Sequence, residues 1–299
     1  MEKRAYGKTG MQVSVLGFGG AEIGFSGAAQ RDVDRLLSSA LDAGLNLIDT
    51  AECYKNSEEL IGQAVSGRRG DYFLFTKCGH AAGLDLPDWD PRMLAQSIDR
   101  SLERLKTDYV DVIHLHSCSE EVLRQGDVID VLKRAKEQGK TRFIGYSGDH
   151  TNALYAVRTG AFDSLMTSLN IADQEAADLT LKEAAEKGMG VVVKRPVANV
   201  AWRHTQAPDA KAYEYPYWQR LQKLKYEFLQ GELEKTVGKA LRFTLSTPGV
   251  HSAIVGTANP DRWTSNARLL AQGPLSAAEY EAIRERWHSV VEDDWVGLE

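Results

Sequence analysis

From residue 10 onward, short runs rich in Val, Ile, Leu and Phe alternate with longer stretches of helical period, and this alternation constrains the chain more than any other feature. Two parallel strands cannot be joined by a tight turn. They need a crossover of a dozen or more residues, and that crossover is usually a helix. The apolar runs lie at 13–18, 45–49, 72–77, 110–116, 142–147, 164–170, 190–195 and 252–256. Helical patterns fill the gaps, among them DVDRLLSSALDAG, which stops at Gly44, and MLAQSIDRSLERLK, which stops at Lys106. Several end at Gly, where a helix C-terminus takes a left-handed residue. Eight strand and helix pairs in this length predict an α/β fold: a (β/α)8 TIM barrel with a short N-terminal β segment and a C-terminal helix. An open doubly wound sheet is the alternative. Its dinucleotide-binding form needs G-x-G-x-x-G leading from a strand into a helix, and Gly17-Phe18-Gly19-Gly20-Ala21-Glu22 departs from that pattern at its last position.

With 299 residues the chain fits one barrel with insertions or two ordinary domains. No internal repeat, low-complexity stretch or linker divides it, so residues 1–299 are expected to form one domain. A net charge of −6 provides no basic field for nucleic acid or an anionic membrane. Three cysteines make no fully paired disulfide framework. The N-terminal residues are polar, and no run approaches the ~20 apolar residues of a membrane span. These features predict a cytoplasmic protein. Residues 198–230, rich in Tyr, Trp and Lys, exceed an ordinary connection and are a candidate lid.

In a TIM barrel the chemistry sits where strands end and βα loops begin. The polar residues at those points are Asp49, Lys77, His116, Ser147, Asn170 and Arg195, with Gly256 after the last strand. Asp49 and Lys77 read either as a structural ion pair or as catalytic groups. Tyr54 favours catalysis, because it lies five residues after Asp49, just before a helix, and its hydroxyl can reach back toward both. A phenol has a pKa near 10, and a close ammonium is expected to lower it and make a usable general acid. His114, two residues before His116 on the same strand, faces the same side one layer deeper and reads as packed.

Residues 8–20 (KTGMQVSVLGFGG) resemble the opening of bacterial aldo-keto reductases, and DTAECY at 49–54 resembles that family's D-T-A-x-x-Y signature. FTK at 75–77, DYVDVIHLH at 108–116, IGYS at 144–147 and GTANP at 256–260 followed by Arg262 and Asn266 match further segments in order. The resemblance implies hydride transfer between NADPH and a small aldehyde or ketone. Tyr54 would be the proton donor, tuned by Lys77 and Asp49, with His116 orienting the carbonyl. It also implies cofactor contacts at Gly19, Gly20, Asp49, Ser147, Asn170, Lys194, Arg195, Gly256, Thr257, Asn259, Arg262 and Asn266. Arg262 matches the family's arginine for the 2′-phosphate, a group suited to a guanidinium fork.

Five positions depart from the family pattern. Met166 and Gly148 stand where Gln and Asn commonly hold the carboxamide. Lys194 and Arg195 stand where an aromatic often stacks on the nicotinamide, and are free to contact cofactor phosphate or a substrate carboxylate instead. Gly256 replaces a lysine found in some members, which removes one phosphate contact. Cys53, Cys78 and Cys118 follow strand ends and suggest a metal-dependent hydrolase as a competing reading. Only His114-Leu115-His116 has ordinary ligand spacing joined to carboxylates, so no metal is expected and the thiols read as inert. A second functional class, an NADP-binding regulatory or sensor subunit, would keep the barrel without turnover. The number of subunits is not legible.

Overall fold

The computed structural model describes residues 1–298. A hairpin comes first: β1 (Lys3–Ala5) pairs antiparallel with β2 (Gln12–Ser14). The barrel strands follow as β3 (Leu16–Gly19), β4 (Leu47–Asp49), β5 (Phe73–Cys78), β6 (Val110–His116), β7 (Thr141–Ser147), β8 (Ser164–Ser168), β9 (Gly190–Lys194) and β10 (Ser252–Gly256). They are parallel and neighbour one another in chain order, and β10 closes the ring by pairing Ala253 with Leu16. This is the predicted barrel, with helices between the strands and Ala277–His288 as the C-terminal helix. Closure excludes the open sheet.

Four of the apolar runs end or divide differently from expectation, the third only by running one residue on to Cys78. The first is split at Val15, whose N–H donates to Glu2 on the hairpin while its carbonyl accepts from Ala253 in the barrel. The sixth stops at Ser168, because Asn170 turns back to bridge Asp173. The seventh stops at Lys194, because Arg195 takes a left-handed conformation at φ 58°. Asn170 and Arg195 are therefore loop residues, and Ser168 and Lys194 occupy the strand ends.

Alternate strand residues point into the barrel. Leu47, Phe75, Val112, Met166, Val192 and Ile254 fill it, together with Tyr6, Met11 and Val13 from the hairpin, which plugs the bottom. The Tyr6 hydroxyl meets Ser164 Oγ at 2.6 Å. The opposite strand faces, including Phe18, Ile48, Leu74, Ile113 and Leu165, pack against helix residues such as Leu36, Ile61, Leu94 and Leu132. Residues 198–230 do not form an open flap. They contain the helix Tyr215–Leu224, whose Tyr217, Leu221 and Leu224 are buried in a second apolar cluster with Phe243, Trp287 and Trp295. Part of the aromatic content that made the segment conspicuous is thus used for packing. Among the described residues no helix is long and apolar enough to cross a membrane.

The plug depends on a missing side chain. A Cβ on Gly190 would stand 2.3 Å from the Tyr6 ring. Gly190→Ala is expected to destabilise the fold by roughly 1–3 kcal/mol through overpacking, measured by urea unfolding. An unchanged midpoint would mean that the Tyr6 ring moves freely.

Candidate active site

The inward alternation that fills the barrel brings one residue from each strand to its mouth: Gly19, Asp49, Lys77, His116, Ser147, Ser168, Lys194 and Gly256. Lys77 Nζ donates to Asp49 Oδ2 at 2.6 Å and to the Thr50 carbonyl at 2.8 Å, and both charged side chains are buried. Burial raises the Asp49 carboxyl to about 6, with Lys77 opposing. Burial pulls the Lys77 ammonium down, but the Asp49 carboxylate more than compensates and holds it charged.

Tyr54 lies in the loop after β4, and that loop is closely fastened. Ser57 Oγ donates to the Gly20 carbonyl at 2.7 Å and lies 2.9 Å from Thr50 Oγ1. Gly24 lets a helix turn come against the Tyr54 carbonyl, 2.1 Å from where a Cβ would stand. The Tyr54 ring centroid is 4.8 Å from Lys77 Nζ and 5.6 Å from the His116 ring. The four residues expected to act together are thus brought together. The phenol pKa runs against expectation: burial raises it, and the opposing pull of Lys77 does not reverse the shift. The hydroxyl stays protonated at neutral pH. Burial and the Lys77 charge also hold the His116 imidazole well below its ordinary range, so it is neutral. His114 is packed, with Nε2 2.8 Å from Ser164 Oγ, and burial pushes it down to about 3.

Several neighbours were not legible as site residues. His80 and Trp89, from the loop after β5, follow His116 in a series of edge-to-face ring contacts, with His80 5.3 Å from the His116 ring and 5.5 Å from Trp89. Phe25 covers Tyr54 at 5.8 Å. Cys53 Sγ lies 3.5 Å from His116 Nδ1, and the ligating atoms of Glu52, Cys53 and His116 fall within 4.8 Å of one another, a grouping that sequence spacing did not announce. All three cysteines are free; burial pushes the Cys53 and Cys118 thiols up to about 12 and raises Cys78 as well.

On the other side of the mouth, Asp149 organises a second charged group. Its Oδ2 is 2.7 Å from Lys194 Nζ and 3.7 Å from Arg195, while Oδ1 accepts from Thr167 Oγ1 at 2.8 Å and from the Ser168 N–H at 2.6 Å. Arg195 reaches Ser168 Oγ at 2.5 Å and the Leu298 carbonyl. Gly297 packs on Asp149, 2.5 Å from Asp149 Cβ to where its own Cβ would stand. Asn170 is committed to the backbone, donating to the Arg195 carbonyl at 3.1 Å and accepting from Ala172 at 2.8 Å. Both residues thus serve the loop structure. Ser147 is buried and its Oγ has no partner. Met166 lies in the barrel interior. A Gly20 Cβ would collide with Ser57 Oγ at 2.6 Å, so this glycine serves packing, whereas Gly19 and Gly256 leave a bare strip across the closing pair. Beyond it, Thr257 Oγ1 and Asn259 Oδ1 each accept a loop N–H at 3.0 Å. Arg262 is exposed at the start of the helix Arg262–Leu269, and Asn266 is half-buried one turn on.

Residues 15–288 match the model of the Aldo/keto reductase family. The chain belongs to this family. L-Galactose dehydrogenase of Arabidopsis thaliana is 30% identical over 95% of this chain and 93% of the relative. A putative voltage-gated potassium channel subunit beta of Schizosaccharomyces pombe is 25% identical over 89% and 87%. The holo form of an aldo-keto reductase from Bacillus halodurans superposes with a TM-score of 0.83 at 25% identity, covering 99% of both chains. The chain thus has an oxidoreductase among its relatives.

Glu52 gives this aldo/keto reductase a pH dependence. It is buried beside Lys77, and burial together with the Glu58 charge raises its carboxyl from 4.5 to about 8. Stability from the protonated acid is complete below pH ~4.5 and is lost as pH rises through 8. Between pH 6 and 9 the wild type should lose roughly 2–3 kcal/mol from this group. Glu52→Gln, which keeps the acceptor for the His80 N–H, should remove most of that loss. Urea titrations of both proteins at the two pH values measure it, and identical slopes would exclude Glu52 as the source.

Proposed function

We propose that this aldo/keto reductase reduces small aldehydes or ketones to alcohols with NADPH, with Tyr54 as the general acid. The observation that carries the reading is the convergence of a protonated phenol, a charged lysine and a neutral imidazole on one mouth. A bound NADPH supplies hydride to the carbonyl carbon. Tyr54 then gives its proton to the carbonyl oxygen as negative charge grows there, and the Lys77 ammonium, 4.8 Å from the ring, stabilises the phenolate left behind. Asp49 keeps Lys77 oriented and charged. His116, uncharged and with Nδ1 toward Cys53, orients the carbonyl through Nε2.

The residues present fit a nicotinamide dinucleotide in three respects. The buried Ser147 hydroxyl has no partner and suits a carboxamide. The bare strip at Gly19 and Gly256 lets a ligand approach the backbone. Arg262 has no side-chain partner among the described residues and suits a 2′-phosphate, with Thr257, Asn259 and Asn266 beside it. Lys194 belongs to the nicotinamide end, whereas Asn170 and Arg195 support the site through the backbone and the chain's final residues. Three free thiols accord with a cytoplasmic location. The resemblance to a channel beta subunit favours one second reading, a cofactor-binding regulatory subunit. Turnover of a generic aldehyde, followed at the nicotinamide absorbance, separates the two.

Tyr54→Phe should lower kcat by about 100-fold or more while NADPH affinity stays near wild type, because the phenol acts in the transition state. Retention of more than a tenth of the rate would remove Tyr54 from the acid role. Arg262→Ala should weaken NADPH binding by roughly 10- to 100-fold and leave NADH almost unaffected. Tryptophan fluorescence titrations with both cofactors measure this, and equal losses would make Arg262 an ordinary surface residue.

A further inference from the structure

The barrel mouth carries two ammonium groups, and the proposed chemistry uses only one. In the closed order of eight strands, β5 and β9 lie four strands apart, so Lys77 and Lys194 face each other across the mouth. Lys194 follows Val192, which points into the barrel, and its charge is felt at Asp49, Lys77 and His116. The two lysines are balanced differently. Lys77 has Asp49 to itself at 2.6 Å. Asp149 is shared between Lys194 and Arg195, and the nearby Asp173 carboxylate has Arg220 at 3.8 Å. Lys194 is therefore less fully balanced by a carboxylate than Lys77 is, and it is largely shielded from water, since its side chain is only 14% exposed. Charges in such a place interact more strongly than charges in solvent.

We propose that Lys194 selects the redox form of the nicotinamide cofactor, favouring the neutral reduced ring over the cationic oxidised ring and so setting this barrel to work as a reductase. The inference rests on the cofactor reading above. A ring that delivers hydride must bring its reacting carbon within ~3.5 Å of a carbonyl held at Tyr54, which stands it inside the circle of eight mouth residues. NADPH and NADP+ share their phosphates, sugars and adenine, and differ in charge only at that ring. A fixed cation at the mouth therefore acts on the difference between the two forms, whatever else contributes to affinity.

The test is the ratio of dissociation constants for NADP+ and NADPH, titrated by tryptophan fluorescence on wild type, Lys194→Met and Asp149→Asn. Wild type should bind NADPH about tenfold more tightly or better. Lys194→Met should bring the ratio toward one, mainly by tightening NADP+. Asp149→Asn keeps the shape of the carboxyl group but removes its charge, and should raise the ratio. Because both constants come from the same folded protein, partial loss of fold leaves the ratio intact, and wild type alone is informative if Lys194→Met does not fold. Equal wild-type affinities for the two forms, or a ratio unchanged within twofold by Lys194→Met, would overturn the assignment. Absence of binding by either form to wild type would instead overturn the cofactor reading, and this inference with it.

Discussion

A lysine inside a barrel must be given an anion or lose its charge, and the mouth of this barrel is arranged around that requirement. Taking an ammonium out of water costs several kcal/mol even after relaxation, and only close, well-directed contacts return it. Lys77 receives two, from Asp49 and the Thr50 carbonyl. Both come from the stretch of chain that ends β4 and opens the Tyr54 loop, so the contact that keeps the lysine charged also sets where the phenol stands. The same charge reaches His116 and helps keep it neutral. Burial sets the direction of the His116 and Tyr54 shifts, and this charge adds to the first and opposes the second.

The two halves of the mouth solve the charge problem differently. On the β4 and β5 side the pair is closed upon itself. On the β8 and β9 side Asp149 is met by two cations, two side-chain hydroxyls and a backbone N–H, and is held below its ordinary range despite burial because Lys194 and Arg195 outweigh the desolvation. Arg195 extends this network to the Leu298 carbonyl, while Gly297 N–H donates to Glu175. The chain's final residues are thereby tied to the rim of the site.

Much of this was legible because strand ends are where parallel barrels expose polar groups, and because Asp49, Lys77 and His116 sit at the ends of clean apolar runs. Tyr54 followed from its distance along a short loop. The illegible part was non-local. Asp149 stands two residues past Ser147, and nothing near it in the chain announces that it will meet Lys194; the available signal was a pair of cations at a strand end, which must find a carboxylate if buried. The apolar pattern runs one or two residues past the true strand ends, to Arg195 and Asn170, because a left-handed turn and a back-bonded loop terminate strands without changing that pattern. The phenol pKa was expected to fall because proximity to Lys77 could be inferred, while the depth of enclosure could not.

Closing the ring has a cost in time. Ser252 Oγ donates to the Ser14 carbonyl across 238 residues of chain, and β10 takes up the free edge of β3 in the same region. Until that partner has been synthesised, β3 presents an unpaired apolar edge of the kind that invites pairing with other chains. At typical translation speeds the wait is roughly 10–50 s, far longer than hydrophobic collapse takes. Of the eight barrel strands, the first therefore waits longest for its second partner.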